Sequence, residues 1–202
     1  VWTVPGVVLA AGIATSKHNL SVSGRGSIKA SSETEICIFC HTTHNASLDA
    51  PLWNRESSGR TYVPYSSSTA KASHRQPTGA SKVCLSCHDG TVALGAVKSR
   101  ARKIRFDSGV ENLPPGRANI GTDLGDDHPI SFVYDMELAK RTKHQLANPD
   151  FLKGPVHLDK DNQMQCTSCH DPHDDRNGMF LVEENRGSKL CVTCHKISFW
   201  ET

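Results

Sequence analysis

The sequence predicts a mostly irregular chain with short α-helices and few or no β-strands, folded around something other than its own side chains. Three observations predict this. Only 37% of the 202 residues are hydrophobic and 6% aromatic, at a mean hydropathy of −0.44, which makes a thin side-chain core for the length. Ten prolines, fifteen glycines and serine-rich runs such as 66–69 (SSST) divide the chain into long connections. Eight cysteines and eleven histidines stand out from this polar background, and every cysteine falls in one repeated pattern.

That pattern, C-x-x-C-H, occurs four times: Cys37-Ile-Phe-Cys40-His41, Cys84-Leu-Ser-Cys87-His88, Cys166-Thr-Ser-Cys169-His170 and Cys191-Val-Thr-Cys194-His195. Random placement of the same cysteines and histidines gives about 0.02 matches in the chain. C-x-x-C-H is the attachment motif of c-type haem. Its two thiols reach the two vinyl groups of one porphyrin, and the next histidine lies under the iron as proximal ligand. The motifs predict four covalently attached haems c. Their thioethers come from Cys37, Cys40, Cys84, Cys87, Cys166, Cys169, Cys191 and Cys194, and their proximal ligands are His41, His88, His170 and His195. Zinc ribbons want two C-x-x-C knuckles about 15 to 20 residues apart, a spacing only the last two motifs approach, and need no histidine after each. A thioredoxin-like site uses one C-x-x-C beside a βαβ unit, and none is visible. A disulfide framework gives no reason for the four histidines.

Haem supplies the missing core, so the fold class sharpens to a haem-cored multihaem cytochrome whose unloaded chain is largely disordered. Two propionates per haem add about eight carboxylates, so the loaded protein is acidic despite a sequence pI near 8.2.

Along the chain, residues 1–11 (VWTVPGVVLAA) are apolar and end in small residues. They resemble the end of a secretory signal, although a retained apolar segment is the alternative. Residues 12–202 are expected to form a single tetrahaem domain. Short helices carry the motifs, as after Cys84, and 131–147 (SFVYDMELAKRTKHQLA) is the best longer helix. Motifs three and four start 25 residues apart and are expected to be neighbours, whereas motifs two and three start 82 apart. No run approaches the roughly 18 to 20 apolar residues of a membrane-spanning helix, so the chain is not read as integral to a membrane. A net charge of +2 is too small to argue for nucleic acid. The basic run 98–105 (KSRARKIR) reads as a solvated face or a partner for propionates.

Seven histidines remain: His18, His44, His74, His128, His144, His157 and His173. Iron with one protein ligand and an open site can bind small molecules, whereas iron held by two histidines only exchanges electrons. Seven spares fill four distal positions with three over. His44 and His173 each follow a proximal histidine by three residues. On one helical turn they share its face and cannot cross their own haem, so each would serve a neighbouring one. His128, in Asp126-Asp127-His128-Pro129, is stiffened by proline and flanked by acids that can orient its ring. His18 and His157 lie upstream of motifs one and three, while His74 and His144 sit among polar residues and read as solvent-facing.

Lys17-His18-Asn19-Leu20-Ser21, Cys40-His41-Thr-Thr-His44-Asn45-Ala46, Pro51-Leu52-Trp53-Asn54, Cys87-His88-Asp89-Gly90-Thr91, Asp127-His128-Pro129-Ile130-Ser131 and Cys169-His170-Asp171-Pro172-His173 together resemble the doubled-CxxCH multihaem c-type cytochromes. Among these the chain is most similar to the extracellular tetrahaem filament (nanowire) subunits of metal-reducing bacteria, of the outer-membrane cytochrome E type. The resemblance runs from about residue 16 to the end. It implies a homopolymer in which closely stacked haems run through the filament and every iron is bis-histidine. It further implies that His44 ligates a haem of the adjacent subunit and that His18 and His128 are distal ligands within the subunit. One more distal ligand then comes from His157 or His173.

The function expected is therefore extracellular electron transfer by a non-enzymatic conduit, exported through the periplasm, that meets identical subunits and redox partner proteins or extracellular electron acceptors. A monomeric periplasmic shuttle is the runner-up. A multihaem reductase would need an open haem site beside a basic pocket, which the histidine surplus argues against.

Overall fold

Regular structure in the computed structural model, which describes residues 12–47 and 50–196, comes in short pieces. The helices are α1 (Gly79–His88), α2 (Met136–Arg141), α3 (Cys166–Cys169) and α4 (Lys189–Val192), and one antiparallel pairing joins β1 (Phe132–Val133) to β2 (Gln163–Met164). Single 3-10 turns lie at Ile13–Thr15, Cys37–Phe39, Pro149–Phe151 and Arg186–Ser188. The other described residues are irregular, as the sequence predicts. The apolar segment 1–11 lies outside the described residues. Among the described residues no helix is long and apolar enough to cross a membrane.

α1 runs through the second motif and stops at it. The Asp89 N–H donates to Leu85 O at 3.1 Å and the Gly90 N–H to Cys87 O at 3.1 Å, with Gly90 left-handed at φ +71°. A Cβ at Gly90 would run into the Asn119 side chain, so the stop is fixed by glycine.

The long helix expected over 131–147 does not form. Phe132 and Val133 form β1, entered from Ser131 at φ +56°: the Ser131 N–H donates to Met164 O and the Tyr134 N–H to Asn162 O, while Phe132 and Tyr134 are buried and Val133 is exposed. That is strand alternation. The helix starts only at α2, where the Asp135 side chain accepts the Leu138 N–H at 2.8 Å, and it ends before Lys143 and His144, both at positive φ. The physical reason is a strand partner some thirty residues downstream, β2, which apolar periodicity within 131–147 cannot reveal.

Among the described residues, buried hydrophobic side chains form three small clusters, each touching a motif. Ala30, Ile38, Phe39, Leu94 and Phe106 make the first, with Cys40 and Cys87 packed on it. Phe132, Tyr134, Leu138 and Met164 make the second, with Cys194 against it. Tyr62, Leu85 and Leu124 make the third, and Leu85 lies inside the second motif. A polar joint adds to these. The Ser81 hydroxyl of α1 donates to Gln165 Oε1 at 2.6 Å and accepts the Cys166 N–H at 3.0 Å, locking α1 to α3.

Candidate functional site

The first motif is a 3-10 turn in which Ile38 and Phe39 point into the core, leaving Cys37 exposed and Cys40 half-buried. The residues between the cysteines are thus the anchor, and Leu85 and Ser86 play the same part in the second motif. Buried Asn54 fixes the turn: its side-chain amide donates to Ile38 O at 2.6 Å and its N–H to Cys40 O at 2.9 Å. In the third motif a capping box between Gln165 and Ser168 starts α3. In the fourth, the His195 N–H returns to Cys191 O at 2.9 Å, and the His195 backbone bridges to Leu146.

The motifs follow one another through space in sequence order. Cys40 and Cys87 share one cluster. The Cys84 and Cys166 thiols lie close enough to interact electrostatically, beside the joint that ties Ser81 to Cys166. Cys169 lies close enough to Cys191 and Cys194 to interact electrostatically with both. Motifs two and three, far apart in the chain, are therefore as intimate as three and four. All eight cysteines are free. Burial pushes the Cys40 thiol up to about 12 and Cys194 up to about 11, whereas the neighbouring Cys84 thiol and Ser81 hydroxyl bring Cys166 down. Among the described residues no group of three or more histidine, cysteine, aspartate or glutamate side chains converges on a common metal position.

Three proximal histidines each face a second imidazole. His88 lies 6.0 Å from His18 between ring centroids, His41 lies 6.1 Å from His173, and His195 lies 6.5 Å from His128. A metal–imidazole bond of about 2 Å puts the two ring centroids of a bis-imidazole iron about 6.3 Å apart. The spacing fits a haem iron between each pair.

The rings are also oriented as ligands should be. Nδ1 faces a backbone oxygen in His88 (Ala118 O, 2.7 Å), His18 (Pro172 O, 3.2 Å), His170 (Met179 O, 2.9 Å), His128 (Pro129 O, 2.9 Å) and His157 (Pro155 O, 3.1 Å). A carbonyl only accepts, so the proton sits on Nδ1 and the Nε2 lone pair is left for a metal. Burial lowers the pKa of His18, His41 and His195, favouring the neutral ring that can ligate. The orienting carbonyls of Ala118 and Met179 carry no sequence signal, because any residue supplies one.

The remaining histidines divide differently from the sequence expectation. His44 is exposed, in a segment that is not a helical turn: the Thr42 hydroxyl donates to His44 O and Asn45 is at φ +57°. His173 likewise follows α3 in irregular chain, where its Nδ1 lies 3.4 Å from the Asp171 carboxylate. His157, His144 and proximal His170 are exposed, and among the described residues none of them meets a second imidazole at pair distance. His74, read as solvent-facing, is half-buried edge-on between Tyr65 and Phe132, because Phe132 lies on β1. In the basic run, Lys98 pairs with Glu56 and Arg100 with Glu33 and Glu35, so protein carboxylates take two of its charges.

Residues 159–197, which hold the third and fourth motifs, match the protein-family model described as the doubled CXXCH motif. Over that stretch the chain is similar to multihaem c-type cytochromes, and doubled C-x-x-C-H motifs mark covalent haem c attachment and electron transfer. A comparison with curated proteins returns no match.

Proposed function

We propose that the chain is an electron conduit that carries four c-type haems, each iron held between two histidines, and that it polymerises outside the cell into a filament. The observation that carries this reading is the set of three imidazole pairs at 6.0, 6.1 and 6.5 Å, each containing the histidine of a C-x-x-C-H motif. Cys37 and Cys40 with His41 and His173 would hold the first haem, and Cys84 and Cys87 with His88 and His18 the second. Cys191 and Cys194 with His195 and His128 would hold the fourth. The third, on Cys166, Cys169 and His170, lacks an opposite imidazole among the described residues, and His44 of an adjacent subunit is the ligand proposed for it.

Haem c bound at these positions supplies a one-electron iron couple. The chain's part is to fix and insulate. Cys40 and Cys87 on one cluster and the proximity of Cys84 to Cys166 and of Cys169 to Cys191 support a reading in which the four sites form one row. Two imidazoles per iron leave no position for a substrate, which favours a conduit over a reductase. Among the described residues exposed His44, His144, His157 and His170 meet no second imidazole, and reading His44 as the ligand of His170's haem in another copy favours a polymer over a monomeric shuttle.

Two measurements test this. Reduced protein should keep a wholly low-spin spectrum under carbon monoxide, and negative-stain microscopy should show filaments. A large CO-binding fraction in assembled protein would favour a reductase, and particles of single-subunit size would favour the shuttle.

A further inference from the structure

Arg55 is wholly buried, at 0% exposure. Its Nη1 donates to Leu94 O at 2.7 Å and its Nη2 to Ala93 O at 2.8 Å and Ser86 O at 3.4 Å, while Nε has no partner. Among the described residues no carboxylate lies within ion-pair distance of the guanidinium. Three carbonyls orient the group without cancelling its charge, and a buried cation with no counter-ion is expensive.

Its place explains what that charge can act on. Arg55 follows Asn54, whose N–H donates to Cys40 O at 2.9 Å, and its own Nη2 reaches the carbonyl of Ser86, the residue before Cys87. Cys40 and Cys87 pack on the same cluster as Leu94. The cation therefore lies between the first and second motifs. A buried carboxylate, Asp89, follows His88 on the side of the second motif, where it accepts from the Tyr62 hydroxyl at 2.7 Å and from the Thr91 N–H at 2.8 Å.

Resting on the proposal that both motifs carry bis-histidine haem, we infer that Arg55 is a fixed, uncompensated charge that raises the reduction potential of the first haem. It raises that of the second less, because Asp89 opposes it. Reduction adds one electron to the iron and involves no proton, so a nearby positive charge favours the reduced form. The low dielectric around a fully buried guanidinium keeps the effect from being screened. The device would place a step in potential near one end of the row.

Potentiometric titration of the purified loaded protein, followed by visible absorbance, tests this after haem content is counted by mass. Arg55→Gln should lower the reduced-to-oxidised ratio of one haem about tenfold at a given applied potential, about 59 mV for one electron. A second haem should shift less in the same direction, and two should not move. Arg55→Lys, which keeps the charge and loses the fork, should stay near the parent curve. If Arg55→Gln does not accumulate, Ala93→Glu sets a carboxylate beside the guanidinium and should produce the same downward shift. An unchanged titration in Arg55→Gln, or in Ala93→Glu, with four low-spin haems present overturns the inference alone. Fewer haems or high-spin iron in the parent protein overturns the bis-histidine reading beneath it.

Discussion

The imidazole planes of His41 and His173 lie 11° apart, whereas His18 crosses His88 at 69° and His128 crosses His195 at 82°. If these rings are axial ligands, the difference has an electronic consequence. Parallel imidazoles split two iron d orbitals strongly, and crossed ones leave them nearly degenerate. Electron paramagnetic resonance of the oxidised protein should therefore show one rhombic low-spin signal and at least two highly anisotropic low-spin signals. His173→Ala should remove the rhombic signal and bring in a high-spin one. Its persistence in that variant would show that His173 is not the partner of His41.

The joint between the second and third motifs rests on a hydroxyl. Ser81→Ala removes the donor to Gln165 Oε1 and leaves the Cys166 N–H without its acceptor. Leaving buried polar groups unpaired costs about 1 to 3 kcal/mol. The denaturant midpoint of the loaded protein should fall accordingly, with haem content unchanged, and an unaltered midpoint would show that the joint is not needed once haem is attached.

The doubled C-x-x-C-H motif of residues 159–197 was legible in the sequence because cysteine and histidine spacing is local. The expectation of short helices and few strands held for the same reason, since proline, glycine and serine act locally. What was not legible is what depends on partners far along the chain. Phe132 and Val133 pair with β2, so the helix shrank to α2. His173 meets His41 across more than a hundred residues, so the pairing of these two rings had no local signature. Arg55 was invisible as well, because nothing about a single arginine after Asn54 tells whether it is solvated or wholly buried.

Acid sensitivity has a local contributor outside the motifs. The Glu33 carboxylate accepts the Glu35 N–H at 2.9 Å and pairs with Arg100 at 3.1 Å, and these contacts hold its pKa below the usual carboxylate range. A depressed folded-state pKa stabilises above the unfolded value, and the contribution is lost as pH falls through the folded value. Glu33→Gln should therefore lower the melting temperature slightly at pH 7, and the difference from the parent should close below about pH 4. A gap that stays constant down to pH 3 would assign the effect to packing instead.

Haem removal should dismantle the fold. Among the described residues the buried hydrophobic side chains form three separate clusters of a few residues each, with Cys40, Cys87 and Cys194 at their edges, which is little to offset about 1 to 2 kcal/mol of backbone entropy per residue. Chain produced without haem attachment should show a coil-like circular dichroism spectrum and no cooperative melting. A sharp thermal transition in that material would mean that the side-chain clusters suffice.

His44 and His170 carry the case for a polymer. Both are exposed, and among the described residues neither meets another imidazole at pair distance. His170 already has Nδ1 against Met179 O at 2.9 Å, which leaves Nε2 for a metal. One chain thus presents a proximal histidine without its opposite and a free histidine that can serve another chain. Because this bond would join two subunits, His44→Ala should abolish filaments and turn about one iron in four high-spin and reactive to carbon monoxide. His157→Ala should change neither property. The reverse result, normal filaments in His44→Ala and a high-spin iron in His157→Ala, would make His157 the fourth ligand within the subunit. The iron–histidine bridge between copies would then be lost as the reason to polymerise.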